Sequence, residues 1–281
     1  MNSYRFVLIA VVASLLWVGP GAAQLPLEPG KDAGQGVTAA YEGWFKNPDG
    51  TYSLLVGYFN RNHKQALDIP VGPNNRIEPG GPGQGQPTHF LPRRQWGVFV
   101  VQVPADFGNR KLTWTLVANS QTTQVPMGLD PLWEVSPLKD YAQGNTPPVL
   151  RFEPDGPSVQ GPPLGIAASF EATVSEPVTL IVWAKDDAVV DEYRRGRVEG
   201  PPVRVMWSKF RGPGEVTFSN PEPDVDVEGD GKATTTATFR DPGEYILRLK
   251  ANDISGNGGG GSQCCWTNAH VKVTVKAGAS S

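Results

Sequence analysis

A tight turn and the strand after it restrict the possible folds of this chain more than any other segment. Asp241-Pro242-Gly243-Glu244 combines a proline, which fixes φ, with a glycine that accepts positive φ, as reverse turns require. Tyr245 follows at once, and an alternating pattern of apolar and polar residues then runs to Ala251. This predicts a strand whose tyrosine anchors the corner, as in the penultimate strand of many β-sandwiches.

Six further strand patterns lie in the same half of the chain. They are short runs rich in β-branched and aromatic residues, and clusters of Gly, Pro, Asn, Asp and Ser separate them. The seven predicted strands cover residues 166–174, 178–184, 203–209, 215–219, 233–239, 245–251 and 270–275. Seven short antiparallel strands with such turns predict a sandwich over residues 149–276.

Three segments of this half resemble PKD-type immunoglobulin-like repeats of bacterial extracellular proteins. They are residues 206–219 (MWSKFRGPGEVTFS), 233–239 (ATTTATF) and 241–245 (DPGEY). The resemblance covers residues 149–276 only, and it implies an immunoglobulin-like domain that serves as an extracellular spacer, adhesion unit or appendage. Such a fold does not by itself fix a function. The long insertion after the second strand and the Cys264-Cys265-Trp266 segment depart from the usual repeat.

Residues 37–136 predict another β-sandwich. A hairpin opens it, with the turn Asn47-Pro48-Asp49-Gly50 between its strands, and the predicted strands cover residues 41–46, 52–60, 97–103, 112–118 and 122–127. The Gly- and Pro-rich residues 72–87 are interpreted as a mobile loop because they carry few charges. Residues 90–96 (FLPRRQW) predict either a basic, aromatic rim or a stacked Arg–Trp surface pair. Residues 137–148 predict a partly extended connector.

The first 23 residues have the pattern of a secretory signal peptide. Arg5 precedes an apolar run over residues 6–18, and small residues at 21–23 precede Gln24. The run is shorter than the about 20 residues that span a bilayer, and an uncleaved anchor is the alternative. Residues 24–36 predict a flexible leader and residues 277–281 a tail. The sequence therefore predicts a secreted or periplasmic all-β protein with two consecutive antiparallel immunoglobulin-like β-sandwiches after a signal peptide.

The chain direction through the C-terminal sandwich predicts that its three long connections share one end. These connections are residues 185–202, 220–231 and 252–263, and each contains acidic residues. Two interpretations stay open: solvated acidic loops, which are the default in a mildly acidic protein, or a calcium site, since carboxylates are ligands that Ca²⁺ prefers. The candidate ligands are Asp224, Asp226, Glu228 and Asp230 in one set and Asp186, Asp187 and Asp253 in another.

The chain contains two cysteines, and they are adjacent. Three interpretations stay open: a vicinal disulfide between Cys264 and Cys265, buried structural thiols, or metal ligation together with His270. An oxidising compartment favours the disulfide, whereas ring strain across a trans peptide opposes it. A ring would present a flat hydrophobic patch beside Trp266.

The sequence favours a non-enzymatic binding or structural protein that uses the long-loop end of the C-terminal sandwich as its contact surface. The expected partner is an extracellular protein or a glycan. A net charge of −3 gives no electrostatic reason to expect nucleic acid, and no membrane span is predicted after the signal. A carbohydrate-binding module is the alternative, on the aromatic residues Tyr41, Trp44, Tyr52, Tyr58 and Trp96. A hydrolase is a third possibility, although no spacing selects a catalytic pair.

Overall fold

Two β-sandwiches follow one another along the chain in this computed structural model, which describes residues 30–141, 144–189, 200–254 and 264–278. The predicted signal peptide, residues 24–29 of the leader and residues 279–281 of the tail lie outside these ranges. The strands pair into antiparallel sheets, apart from one parallel pair. The prediction of an all-β protein with two sandwiches is therefore confirmed.

The N-terminal sandwich packs two three-stranded sheets around a single apolar core. Its strands are β1 (Val37–Lys46), β2 (Tyr52–Asn60), β3 (Leu67–Asp68), β4 (Asn75–Glu78), β5 (His89–Phe90), β6 (Arg93–Val103), β7 (Lys111–Ala118) and β8 (Gln121–Gly128). The sheets have the orders β1-β2-β6 and β4-β7-β8. Leu54, Val56 and Tyr58 share one face of β2 and are buried in the core, as their alternation predicts.

Residues 72–87, interpreted from the sequence as a mobile loop, contain the strand β4 and so are not a loop throughout. Asn75 is fully buried there, and its amide donates to the carbonyl oxygens of Ile69 and Pro87 at 2.9 and 2.7 Å. Its carbonyl oxygen accepts from the indole nitrogen of Trp114 at 3.0 Å. The Asn75 side chain therefore supplies hydrogen-bond partners to two backbone carbonyls and one indole N–H, which would otherwise be buried without partners.

The C-terminal sandwich packs a five-stranded sheet on a four-stranded sheet. Its strands are β9 (Val149–Arg151), β10 (Ser158–Gln160), β11 (Ile166–Thr173), β12 (Val178–Lys185), β13 (Val203–Arg211), β14 (Val216–Phe218), β15 (Lys232–Phe239), β16 (Gly243–Asp253) and β17 (Trp266–Lys276). The sheet orders are β10-β9-β12-β15-β14 and β11-β17-β16-β13. The seven predicted strands are all present, but β11 pairs parallel to β17, so the prediction of antiparallel pairing throughout is wrong there.

Tyr245 forms the predicted tyrosine corner. Its side chain is fully buried, and its hydroxyl donates to the carbonyl of Asp241 at 2.8 Å and accepts from the backbone N–H of Gly214 at 3.0 Å. The hydroxyl thus joins the turn before β16 to the turn between β13 and β14. This end of the sandwich is held by short turns.

A polar junction joins the two sandwiches, between β6 of the first and β13, β16 and β17 of the second. Arg248 is only 2% exposed at its centre. Its guanidinium donates to the side-chain oxygens of Asn268 and Gln95 at 2.6 and 2.9 Å, and to the carbonyl of Trp96 at 3.3 Å. Burial lowers the pKa of Arg248 to about 10, so the side chain stays charged at neutral pH.

Glu42 brings a buried negative charge to the same junction. One carboxylate oxygen accepts from the N–H of Gly97 at 2.7 Å. The other lies 2.7 Å from the Arg94 guanidinium, an ion pair whose angle falls outside hydrogen-bond geometry. Burial raises the pKa of Glu42, while the charges of Arg94 and Arg248 oppose that rise. A buried charge needs such partners, since an isolated one is very costly.

Apolar groups complete the junction. Phe210 of β13 belongs to the core of the N-terminal sandwich, and its ring lies 4.2 Å from that of His270. The imidazole donates to the carbonyl of Val98 at 3.0 Å, and burial lowers its pKa to about 3, which keeps the ring neutral. Gly97 has a φ of +49° and lies flat against the ring of Trp266, so a Cβ at position 97 would collide with that ring. Residues 31–281 accordingly form one compact unit.

Candidate functional site

The long connections of the C-terminal sandwich leave from one end, as the chain direction predicts. In one sheet Val203 pairs with Asp253 and Asn252 with Trp266, and in the other Trp183 pairs with Lys232. Asp253, at the end of β16, and Asp186, just beyond β12, bring carboxyl groups from both sheets to this end, and the charge of Asp253 contributes to the raised pKa of Asp186. The basic run at residues 193–197 and the glycine run at 256–261 lie outside the described residues. We call this region the acidic end, formed by Asn145, Thr146, Asp186, Asp187 and Asp253.

Hydrogen bonds tie the connector between the sandwiches to the aspartates of the acidic end. Asp253 is buried and accepts from the side-chain amide of Asn145 at 2.5 Å. Asp187 accepts from the backbone N–H and the hydroxyl of Thr146 at 3.1 and 2.7 Å. The connector therefore packs onto the second sandwich at this point.

Asp186 has the most perturbed carboxyl group of the acidic end. One of its oxygens accepts from the N–H of Ala188 at 2.7 Å, and the other is buried without a hydrogen-bond partner. Burial raises the pKa of Asp186 to about 7, and the charges of Asp253 and Asp187 add to the rise. With such a pKa the carboxyl group is partly protonated near neutral pH, and a nearby cation would stabilise its ionised form.

The second predicted ligand set, at residues 224–230, serves local structure instead. Asp226 accepts from the N–H of Gly229 at 3.0 Å and so closes a turn. Asp230 accepts from the indole of Trp183 and from the N–H of Lys232, both at 3.0 Å. Asp224 and Glu228 are exposed. In the described parts of the chain, no three His, Cys, Asp or Glu side chains form a group that could hold a metal, and the calcium site stays a prediction.

The cysteine pair lies beneath the acidic end. Cys264 and Cys265 are both buried, their sulfur atoms are at bonding distance, and the peptide between them is cis rather than the trans form considered from the sequence. The backbone N–H of Asp253 donates to the carbonyl of Cys265 at 3.4 Å. Trp266 is only 2% exposed, so the prediction of a hydrophobic patch beside it on the surface is wrong.

Most of the aromatic residues that suggested a sugar-binding face belong to the core of the N-terminal sandwich. Trp44 and Tyr58 are buried in that core, and Tyr41 and Tyr52 pack against it. Trp96 lies under the guanidinium of Arg94, 3.7 Å from its ring centre. Phe90 is fully buried and so does not contribute to a rim, whereas Arg94 and Trp96 form the stacked pair that was the other interpretation of residues 90–96.

A groove on the N-terminal sandwich contains an aromatic residue that the sequence analysis missed. Trp133 is half exposed, and its ring lies 5.5 Å from that of Tyr41. The two line a groove of about 690 Å³ together with the basic residues Arg110 and Lys111. Asp130 caps the 3₁₀ turn Pro131–Trp133 by accepting from the N–H of Leu132. Asp-Pro before an aromatic residue was the available signal for this turn.

The strand order and the tyrosine corner define an immunoglobulin-like two-sandwich protein. No protein-family profile matches the sequence, and neither does any curated protein. Solved structures similar to this chain include the D00–D0 domain of intimin, at 14% identity over 85% of this chain and 99% of that one, with a TM-score of 0.28.

Two further similar structures come from an S-layer protein and from titin. Domains 4 and 5 of the S-layer protein SbsC match at 14% identity over 63% of this chain and 70% of that one, with a TM-score of 0.24. A titin Ig tandem matches at 10% identity over 87% of this chain and 98% of that one, also with a TM-score of 0.24. The assignment of the fold rests on the strand pairing described above. Within the described ranges, no helix has the length and apolar character needed to cross a bilayer.

Proposed function

We propose that this chain is an exported, non-enzymatic binding or scaffold protein that presents the acidic end of its C-terminal sandwich to a partner. The observation that carries the proposal is the junction around Arg248. Two hydrogen bonds from one buried guanidinium, to Gln95 and Trp96, fix the second sandwich on the first, and a third, to Asn268 of the second sandwich, orients the guanidinium. A body held in this way presents its acidic end at a fixed distance and angle, as a scaffold requires.

The contact surface is the acidic end because the junction covers the outer face of the β13-β16-β17 sheet. Arg248, Asn268 and His270 on that face are all buried. At the acidic end, by contrast, Asp187 is exposed and Asp186 carries an incompletely bonded carboxyl group. A partner with cationic groups, or a partner bound through calcium, matches that chemistry.

We also propose that the second sandwich is an immunoglobulin-like domain of the PKD type. The three segments that resemble PKD-type repeats include the tyrosine corner and the turn from Arg211 to Gly214, which the Tyr245 hydroxyl joins. An extracellular or periplasmic location agrees with the signal pattern of residues 1–23. The domain boundaries near residues 136 and 149 are also proposed from the sequence pattern.

Site-specific photo-crosslinking in the native organism tests the contact surface. A crosslinker at position 187 or 224 should capture a partner, whereas one at 171 or 241, which are exposed at the short-turn end, should not. Capture of the same partner from both ends, or from the short-turn end alone, would overturn the proposed surface. Calorimetry with millimolar Ca²⁺ tests whether the acidic end binds calcium. The absence of both a binding heat and a shift in melting temperature would exclude calcium binding.

The groove beside Trp133 favours a second candidate function, which is binding of a carbohydrate. A half-exposed indole next to Tyr41 offers a flat aromatic face to a sugar ring, and Arg110 and Lys111 supply donors at its edge. Screening on a glycan array separates the two functions. Binding that is lost in Trp133→Ala and kept in Trp183→Ala would support the carbohydrate module.

A further inference from the structure

A second concave site lies at the seam between the two sandwiches and has a volume of about 540 Å³. Its walls are largely apolar. Phe99 and Val100 come from β6, Phe210 and Ile246 come from β13 and β16, and Leu164 and Ile166 from the segment before and into β11 lie at the mouth. Leu164 and Ile166 are 63% and 48% exposed, which is unusual for large aliphatic side chains.

One positive charge, that of Arg211, lines this seam cavity and has no carboxylate paired with it. The guanidinium of Arg211 donates to the carbonyl of Gln86, while its Nε is buried and has no hydrogen-bond partner. Among the described residues, no carboxylate forms an ion pair with Arg211, and its pKa is lowered by burial alone. A half-buried guanidinium with no paired carboxylate favours an anionic oxygen at the nitrogens that face the cavity.

The other polar groups of the cavity do not supply that oxygen. His270 is neutral and its Nε2 is committed to the carbonyl of Val98. Asp49 is the acid in the lining, and its carboxylate accepts from the backbone N–H and the hydroxyl of Thr51 at 3.0 and 2.6 Å. The cavity therefore offers apolar walls, the neutral side-chain amides of Asn47 and Gln102, and one cationic donor group, Arg211.

We propose that the seam cavity binds a small amphipathic monocarboxylate, with its aliphatic chain between Phe99, Ile246 and Leu164 and its carboxylate on Arg211. The volume lies within the range of small-molecule sites, which are mostly apolar, carry a few polar groups and occur preferentially where two domains meet. A carboxylate fits Arg better than a neutral head group does, because the guanidinium can donate two parallel N–H bonds to it. Occupancy would bridge the two sandwiches, since the walls come from both.

Titration with octanoate, octanol and octylamine tests the head-group preference on the full mature chain. Binding is followed by NMR through the methyl signals of Ile246, Leu164 and Ile166 and the Nε–H signal of Arg211. We expect octanoate to shift these signals at lower concentration than octanol, and octylamine to bind least. Equal affinities for octanoate and octanol, or shifts confined to other parts of the protein, would overturn the proposal.

Variants then test the role of Arg211. Arg211→Gln should weaken octanoate binding by roughly tenfold to a hundredfold while leaving octanol binding unchanged. Arg211→Lys should restore part of the preference, and Arg61→Gln, an exposed residue outside the cavity, should change nothing. Undiminished octanoate binding in Arg211→Gln would contradict the proposal.

A pair of substitutions at Leu164 avoids the junction altogether. Leu164 is exposed, so neither Leu164→Glu nor Leu164→Gln should affect folding. The added carboxylate of Leu164→Glu should repel octanoate and leave octanol binding equal to that of Leu164→Gln. If both variants bind octanoate equally well, the carboxylate does not enter this cavity and the proposal is wrong.

Discussion

Replacing Arg248 with methionine should destabilise the whole two-sandwich body. The substitution removes three hydrogen bonds from a side chain that is 2% exposed, leaves the side-chain oxygens of Gln95 and Asn268 without that donor, and removes a charge that favours ionised Glu42. Breaking a buried charged group away from its partners typically costs about 3–5 kcal/mol. That is a large part of the about 5–15 kcal/mol by which proteins are stable.

Urea denaturation measures this loss directly. With a slope of roughly 2–3 kcal/mol/M, the midpoint for Arg248→Met should fall by about 1–2 M. Lys272→Met on the neighbouring strand is the control, since the Lys272 side chain is 46% exposed and forms an ion pair with Glu244 at the surface. A fall of less than about 1 kcal/mol in the free energy of unfolding would refute the reasoning that the junction holds the body together.

Removing the opposite charge as well should recover part of the loss. Glu42→Gln with Arg248→Met leaves no uncompensated charge in the junction, apart from Arg94, which is partly exposed. Glu42 forms its ion pair with Arg94 and not with Arg248, but the charge of Arg248 favours ionised Glu42, so the carboxylate is less well compensated in Arg248→Met. The double variant should therefore be more stable than Arg248→Met alone. Strictly additive losses would show that the two groups do not act on each other.

Four further predictions follow from the perturbed and buried groups. Because the folded-state pKa of Asp186 is raised to about 7, the wild-type protein gains stability as pH falls from about 7 to about 4, and melting curves of Asp186→Asn should lack that gain and lie higher at pH 8. His270 has a folded pKa lowered to about 3, so the stability it contributes is lost as pH falls from about 6.5 toward 3, and urea midpoints should show the wild type approaching His270→Gln over that window. Tyr245→Phe removes two hydrogen bonds from a buried corner and should cost about 1–3 kcal/mol in urea denaturation. If Cys264 and Cys265 form the predicted disulfide, the intact mass after alkylation should show labels on both only when reductant is added. Labelling of both without reductant would rule the disulfide out.

The sequence was a good guide wherever structure depends on neighbours along the chain. Tyr245 after Asp-Pro-Gly-Glu identified the corner because turn chemistry and the following alternation are both local. Chain direction then placed the ends of three long connections together without any knowledge of side-chain contacts. The boundaries of β13 and β17 were less accurate, since strand ends are extended by partners that the sequence does not display.

The roles of polar residues could not be predicted in the same way. Alternation places Arg248 on the outer face of β16, which in an isolated sandwich would be exposed, and its burial depends on Gln95, 153 residues earlier. Asn75 lies in a run that resembles a loop, and only its contact with Trp114 makes it a core residue. Asp230 resembles a calcium ligand until Trp183, 47 residues away, donates to it.

The fit of Gly97 against Trp266 bears on how this protein can evolve. A domain that is exchanged between genes must expose a water-compatible surface on every side, whereas here separation would leave an indole, a phenylalanine and an arginine network facing solvent. The C-terminal half is therefore not portable, and gene fusions that carry it should carry the N-terminal half as well. Because even one added methyl group at position 97 would collide with the Trp266 ring, we expect glycine to be retained there wherever the two sandwiches are inherited together.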